Sequence, residues 1–458
     1  MQGDVTWRLT AVPLTPIHVG DGSVLAAEEW RLGRDGRLER FSPAAVLRSA
    51  PERTRADYIR ALEQGRLTEA QSVLRNAVRA EHVLERIAVG PAAREELEAT
   101  VNNPLRRGDI RPMVRTGGRP YLPGSSIKGA LRTALLSSLV PPRKAAIEAV
   151  KGRHRTPRGT IASRASNEVQ ALLLEHQNPD QDPFRFVEVS DLLLPADSTR
   201  IDRVVNWRPS RLIRGGGQPA EKMQMIFERA LSWADATALP WPTLEIRIEE
   251  QALAAARARD RERRKTPRFP LDAQKLARAV NEFHWKLWDY ELTRFFAGET
   301  SIETTLQSLV RVKAPDGTLL GPEALRERTD ILLVRLGRFG QFESKSLEGV
   351  REGWNAQAEP PHPMKEGNTR NLVKPAETAP LLPLGWLLLL PEGFEVERAP
   401  AAATAASTGP RPAAPEPARR AFYAGEEVRI VRRERGEVFI ENGDGDTEWV
   451  QESELEYR

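Results

Sequence analysis

The stretch Tyr121–Leu136, YLPGSSIKGALRTALL, sets a proline, a glycine and two serines directly before an apolar pattern of helical spacing. It predicts a short strand, a tight turn and a helix that ends near Pro141 and Pro142. Ala130, Leu131, Ala134 and Leu135 share one face of that helix, which is expected to pack on a core. Gly124 permits backbone geometry that other residues resist, and Ser125 or Ser126 is suited to cap the first turn. Free N–H groups there carry the positive end of the helix dipole, so the start of the helix suits an anion. Lys128 and Arg132, four residues apart, share a face and add charge to it. The same residues also describe an ordinary capped helix. The spacing GxxxxGK[ST] is absent, so this is not a P-loop.

Outward from this stretch, strand and helix patterns mix. Val5, Trp7, Leu9 and Ala11 alternate as a first strand, and TPIHVGDG follows it with turn residues. Residues 52–99 are rich in Ala, Leu, Glu and Arg, with Tyr58, Leu62 and Leu67 in partial helical spacing, and are expected to form a helical insertion. FRFVEVSDLLL (184–194) and WPTLEIRIEE (241–250) alternate as half-buried strands. Leu276, Val280, Phe283 and Leu287 stripe the strongest helix of the chain. ILLVRLG and LGWLLLL, near-continuous apolar runs, are expected to be central strands. The fold class is α+β.

From 398 to 420 the chain is mostly Ala and Pro and has nothing with which to build a core, so it is expected to be a linker. Residues 421–458 alternate again, with Val428, Ile430, Val438 and Ile440 between Gly-Asp turns, and suggest a small five-strand SH3-like barrel. The expected organisation is a core over 1–397, the linker, and this appendage.

Composition excludes several classes. The 458 residues hold no cysteine, so there are no disulfides, thiolate nucleophiles or Cys-based zinc sites, and the six histidines include no HxxxH pair. No apolar run approaches the ~18 residues that cross a bilayer, and the first residues lack the signature of a signal peptide. A cytoplasmic protein without membrane contact, metal or cofactor is expected. The net charge of +4 is small, so its distribution matters more than its sum. Two basic runs stand out, Lys151–Arg164 (KGRHRTPRGTIASR) and Arg257–Arg268 (RARDRERRKTPR). The second interleaves Asp260 and Glu262 and is read as a solvated surface. The first holds no acid and is open to RNA contact or to plain solvation.

Read in order, TPIHVGDG, PYLPGSSIKGALRTAL, LVRLGRFGQFESKSL and GNTRNLVKPAETAPLLPLGWLLL resemble the RAMP superfamily of type III CRISPR effector complexes. The PGSSIKGALR helix start is the most specific piece. The TR…PLGW ending points to the Csm-type subunit that caps the backbone filament at the 3′ end of the CRISPR RNA. The resemblance covers residues 1–397 and implies an RRM-like (ferredoxin-like) core of one or two units with helical insertions. It implies a non-catalytic structural subunit that binds and protects the 3′ portion of the CRISPR RNA, largely without sequence preference, and supports guide maturation and antiviral defence. The implied partners are the CRISPR RNA, the other complex subunits, notably the repeated backbone subunit, and target RNA indirectly.

Against that background, Gly337 and Gly340 allow close backbone approach in LGRFGQFESKS, where Arg338 and Lys345 stand beside the exposed-looking aromatics Phe339 and Phe342. His18, Gly20 and Gly22 in the first loop are further binding candidates, with a structural histidine at the strand end as the other reading of His18. Thr369, Arg370 and Lys374 are candidates for phosphates or a neighbouring subunit. Asp21, between Gly20 and Gly22, is the single local candidate for the alternative function, metal-dependent cleavage of target RNA. A turn explains its short side chain equally well. A guide-processing ribonuclease would need an acid and a base near the glycine-rich loop, and no histidine lies there in sequence.

Overall fold

The computed structural model describes residues 4–102, 108–213, 220–235, 240–260, 266–355 and 361–397, with short strands between 421 and 457. The chain divides into two compact units, 1–398 and 399–458. The expected 398–420 linker lies outside the described residues. Among those residues, no helix is long and apolar enough to cross a membrane.

The first unit is mixed α/β and holds two main sheets. One has five antiparallel strands in the order Leu332–Arg335, Trp386–Pro391, Val5–Pro13, Thr243–Ile248, Val187–Val189. Its register sets Leu9 opposite Leu244 on one side and Pro391 on the other. The alternation of Leu244, Ile246 and Ile248 against exposed Thr243, Glu245 and Arg247 is complete, because only one face of that strand meets the core. The helices Gly124–Ser138 and Ala273–Glu291 pack on each other and on this sheet. Ala130, Leu131, Ala134 and Leu135 of the first helix are buried there, as are Leu276, Val280, Phe283 and Leu287 of the second.

LGWLLLL is an interior strand, but ILLVRLG supplies the outermost one. A continuous apolar run reports burial of both faces, not position in the sheet. The open edge is satisfied by the neighbouring helix. The Asn281 side chain accepts from the Leu333 N–H (3.1 Å) and donates to the Ile331 carbonyl (2.7 Å), while the His284 Nδ1 accepts from the Arg335 N–H (3.3 Å).

The second sheet is built around Thr199–Arg208, which pairs with Ala220–Ala230, with Arg370–Lys374 and, at one end, with Val83–Val89. The Val83–Val89 strand corrects the expectation for 52–99. That segment holds helices Glu52–Glu63 and Leu67–Ala77, then this strand, then helix Pro91–Asn102. Leu62 and Leu67 are exposed, and the buried face consists of Ala61, Ala70 and Leu74. The strand is needed to join Leu38–Phe41 to the sheet, and its Glu85 and Arg86 do not break its alternation.

In the second unit, five antiparallel strands run in the order Thr447–Gln451, Glu437–Glu441, Glu426–Glu434, Ala421–Tyr423, Glu456–Tyr457.

Candidate functional site

Three of the four motif segments converge on one cavity of about 490 Å³, a size typical of ligand pockets, which span roughly 300–1,000 Å³. His18, Gly20 and Gly22 enter from the loop after the first strand. Ser126, Gly129 and Thr133 line it from one face of the Gly124–Ser138 helix. Gly337, Arg338 and Lys345 come from the glycine-rich loop, and Arg111 completes the wall.

The loops are tied together by their backbones. The Arg338 N–H donates to the His18 carbonyl at 2.9 Å. Gly337 has φ +85°, and a Cβ there would sit 2.5 Å from that same oxygen, so both its conformation and its contact demand glycine. The fourth motif buttresses the site from behind. Gly385, in PLGW, donates its N–H to the Pro16 carbonyl (2.8 Å) and accepts from the Leu336 N–H (2.9 Å).

His18 is buried to 3% exposure. Its Nδ1 lies 2.6 Å from the Glu228 carbonyl, which can only accept, so Nδ1 carries the proton and the lone pair is on Nε2. Burial lowers its pKa to about 4, against a smaller upward pull from the Glu228 carbonyl, so the ring is neutral near pH 7. Phe227 meets the ring edge-on at 4.8 Å, and Phe339 lies 6.1 Å away.

The cavity is cationic. Among the described residues, Arg111, Arg338 and Lys345 form no ion pair with a carboxylate. Lys345 donates instead to the Arg338 carbonyl (2.8 Å), and loss of hydration, with Arg338 and Arg335 nearby, lowers its pKa. The Glu228 carboxylate beneath is already committed to Arg115, to the Thr199 hydroxyl (2.6 Å) and to the Met113 N–H (2.9 Å). Unpaired cations of this kind, with glycine backbone and hydroxyls around them, suit phosphate.

Several expected site residues lie elsewhere. The anion held at the start of the Gly124–Ser138 helix is the protein's own: the Gly124 N–H donates to Asp191 Oδ1 at 2.7 Å, and neither Ser125 nor Ser126 caps it. Gly124 has ordinary φ and is required by packing, since a Cβ would lie 2.1 Å from the Val189 carbonyl. Arg132 turns away to Asp182 (2.8 Å), Gln170 (3.0 Å) and the Phe184 ring. Lys128 is half-buried outside the cavity lining, and burial lowers its pKa.

Arg370 is 1% exposed, bonded to Glu291 (2.6 Å) and laid on Phe295 at 3.5 Å, so it is a core residue. Lys374 pairs with Glu221 (3.0 Å) and Glu377 (2.9 Å), and Thr369 accepts from Asn206. Phe339 is buried behind His18 rather than exposed, and Phe342 is half-buried. Asp21 is exposed and its Oδ1 accepts from the Ser23 N–H (2.8 Å), the turn geometry that explains its short side chain. Hydrogen bonds from Ser23 hold its carboxyl below the usual range. Among the described residues, no cluster of three His, Asp or Glu side chains is arranged to hold a metal ion.

The first half of the basic run 151–164 is paired with carboxylates. Lys151 and Arg155 pair with Glu352, and Arg153 and His154 with Glu168. In the second run, Arg257 donates to the Pro267 and Arg268 carbonyls, and residues 261–265 lie outside the described residues.

Arg111, Gly129 and Thr133 are site residues that sequence reasoning missed. Ser126, Gly129 and Thr133 stand at helical spacing, so a small-residue face was there to be found. Arg111 left no such signal, because it is placed by a two-residue strand paired with distant Phe227. The fold also sets a histidine, His18, against the glycine-rich loop, where the sequence has none nearby.

The model of the RAMPs family, described as the RAMP superfamily, matches residues 10–296, more than half of the chain and the part that supplies two of the three cavity segments. This chain belongs to the RAMP superfamily. Among its relatives, it is 27% identical over 141 residues to the "CRISPR system Cms protein Csm5" of Streptococcus thermophilus, a match covering 29% of this RAMP chain and 38% of that protein. It is similar in fold to a chain in the cryo-EM structure of a Csm–crRNA–target RNA ternary complex of a type III-A CRISPR-Cas system. That likeness has TM-score 0.54 and 17% identity and covers 84% of this chain and all of that one. Against the crystal structure of T.onnurineus Csm5 the TM-score is 0.47 at 17% identity, over 82% of this chain and 99% of that one.

Proposed function

We propose that this RAMP protein is a non-catalytic, RNA-binding subunit of a Csm-type type III CRISPR effector complex, capping the backbone filament and holding the 3′ portion of the CRISPR RNA. The observation that carries this is the cavity itself, where Arg338 and Lys345 of the glycine-rich loop and Arg111 of the strand beside it stand without carboxylate partners among the described residues. Its neighbours, the repeated backbone subunit among them, are proposed from the likeness to Csm proteins. The non-catalytic reading is supported by Asp21, whose carboxylate is engaged in its own turn.

An RRM-like core is supported by the sheet order Trp386–Pro391, Val5–Pro13, Thr243–Ile248, Val187–Val189. Of the helices between its first and second strands in sequence Gly124–Ser138 packs on this sheet, and of those between its third and fourth Ala273–Glu291 does, which matches the βαββαβ pattern with insertions. The five-strand order after 420 supports an SH3-like barrel.

The test is co-purification of the tagged protein from its native host, with sequencing of the bound RNA. Guides sharing a repeat-derived 5′ end are expected, and their absence overturns the assignment. In the purified complex with matched target RNA and Mg²⁺, Asp21→Ala is expected to leave every cleavage product in place. Loss of a single product would make the protein a nuclease.

A further inference from the structure

We propose that Nε2 of His18 accepts a hydrogen bond from a ribose 2′-hydroxyl and so makes the cavity selective for RNA over DNA. The inference rests on the RNA-binding reading above and adds a specificity that the cations cannot supply. Arg111, Arg338 and Lys345 attract the phosphates of either nucleic acid, whereas the 2′-hydroxyl is the group by which a protein tells RNA from DNA.

The geometry around His18 leaves one acceptor open. Glu228 fixes the proton on Nδ1, and Phe227 and Phe339 hold the ring in place. Nε2 has no hydrogen-bond partner among the described residues, although the side chain is 97% buried, at 3% relative exposure. The missing side chain of Gly20 keeps it uncovered, since a Cβ there would lie 2.9 Å from Nε2. Arg338 and Arg111 oppose protonation of the ring, so it stays an acceptor within a cationic wall. Two other polar groups nearby are committed. The Thr133 hydroxyl donates to the Gly129 carbonyl (3.0 Å), and the Glu228 carboxylate is saturated by Arg115, Thr199 and Met113. A preordered acceptor also avoids the entropy of fixing a mobile side chain.

The test uses the full chain and fluorescence anisotropy with one single-stranded sequence made as RNA, as DNA and as 2′-fluoro RNA. The last keeps an RNA-like sugar but has no hydroxyl proton to donate. RNA is expected to bind about fivefold tighter than either, the size of one net hydrogen bond. His18→Phe, which keeps an aromatic ring, and Gly20→Ala, whose methyl would crowd Nε2, should each bring the ratio of RNA to DNA affinity to about one. Should His18→Phe fail to fold, Gly20→Ala, in an exposed loop, carries the test. Equal binding of RNA and 2′-fluoro RNA, or discrimination that survives Gly20→Ala, overturns the inference and leaves the RNA-binding reading standing. Failure to bind any of the three overturns both.

Discussion

The Arg338 amide donates to the His18 carbonyl at 2.9 Å, binding a loop late in the core to the end of its first strand. That bond sets two cavity-lining segments side by side.

Replacing Arg111 and Arg338 together with glutamate should weaken RNA binding and flatten its salt dependence. Each phosphate that the protein no longer neutralises reduces the slope of log K against log salt by about 0.7 for a single strand. Titrations at four salt concentrations measure this, and an unchanged slope would remove the cavity from the RNA path.

Arg132→Ala should behave in the opposite manner. It leaves Asp182 and Gln170 without their partner and uncovers Phe184, so stability should fall by about 1–3 kcal/mol. RNA affinity of the folded protein should not change. Urea unfolding read beside anisotropy separates the two.

Gly129→Ala should stabilise the protein and weaken its function. The residue is mid-helix, its φ is not left-handed and nothing lies within 4 Å of a Cβ placed there, so helix propensity favours alanine by about 1 kcal/mol. The added methyl enters the cavity. A higher Tm with lower RNA affinity is expected, whereas a higher Tm with full affinity would show that the RNA does not approach the helix there.

Stability should decline as pH falls below about 6.5. Burial lowers His18 to about 4 and His284 to about 3, so the unfolded chain takes up protons before the folded one. Their contribution is complete above the unfolded pKa of about 6.5 and is lost as pH falls toward the folded values, on the order of 3 kcal/mol for His18 alone. His18→Phe should make urea midpoints between pH 7 and 4.5 less dependent on pH. Equal slopes for variant and wild type would refute this account of the ring.

A chain ended at Glu397 should remain soluble, bind RNA and join the complex, since the unit up to 398 is compact in itself. Aggregation of the truncated protein would place the boundary elsewhere.

The elements that the sequence alone determined are those whose burial follows a local period. The Thr243–Ile248 strand, the Ala273–Glu291 stripe and the core face of the Gly124–Ser138 helix were legible because a core on one side imposes that period on the residues themselves. The strands Thr199–Arg208 and Ala220–Ala230 were not. Asp202 and Arg229 are fully buried and bonded to each other at 2.7 Å, so charges that look like surface in sequence are interior. The site divides in the same manner. Glycines at close approaches and the conspicuous loops could be read from sequence, but not whether a given cation was free. Arg132, Arg370 and Lys374 found carboxylates, Gly124 found Asp191, and Arg111 and Arg338 found none among the described residues, because a charge's partner comes from wherever the chain returns, and only the tertiary structure decides that.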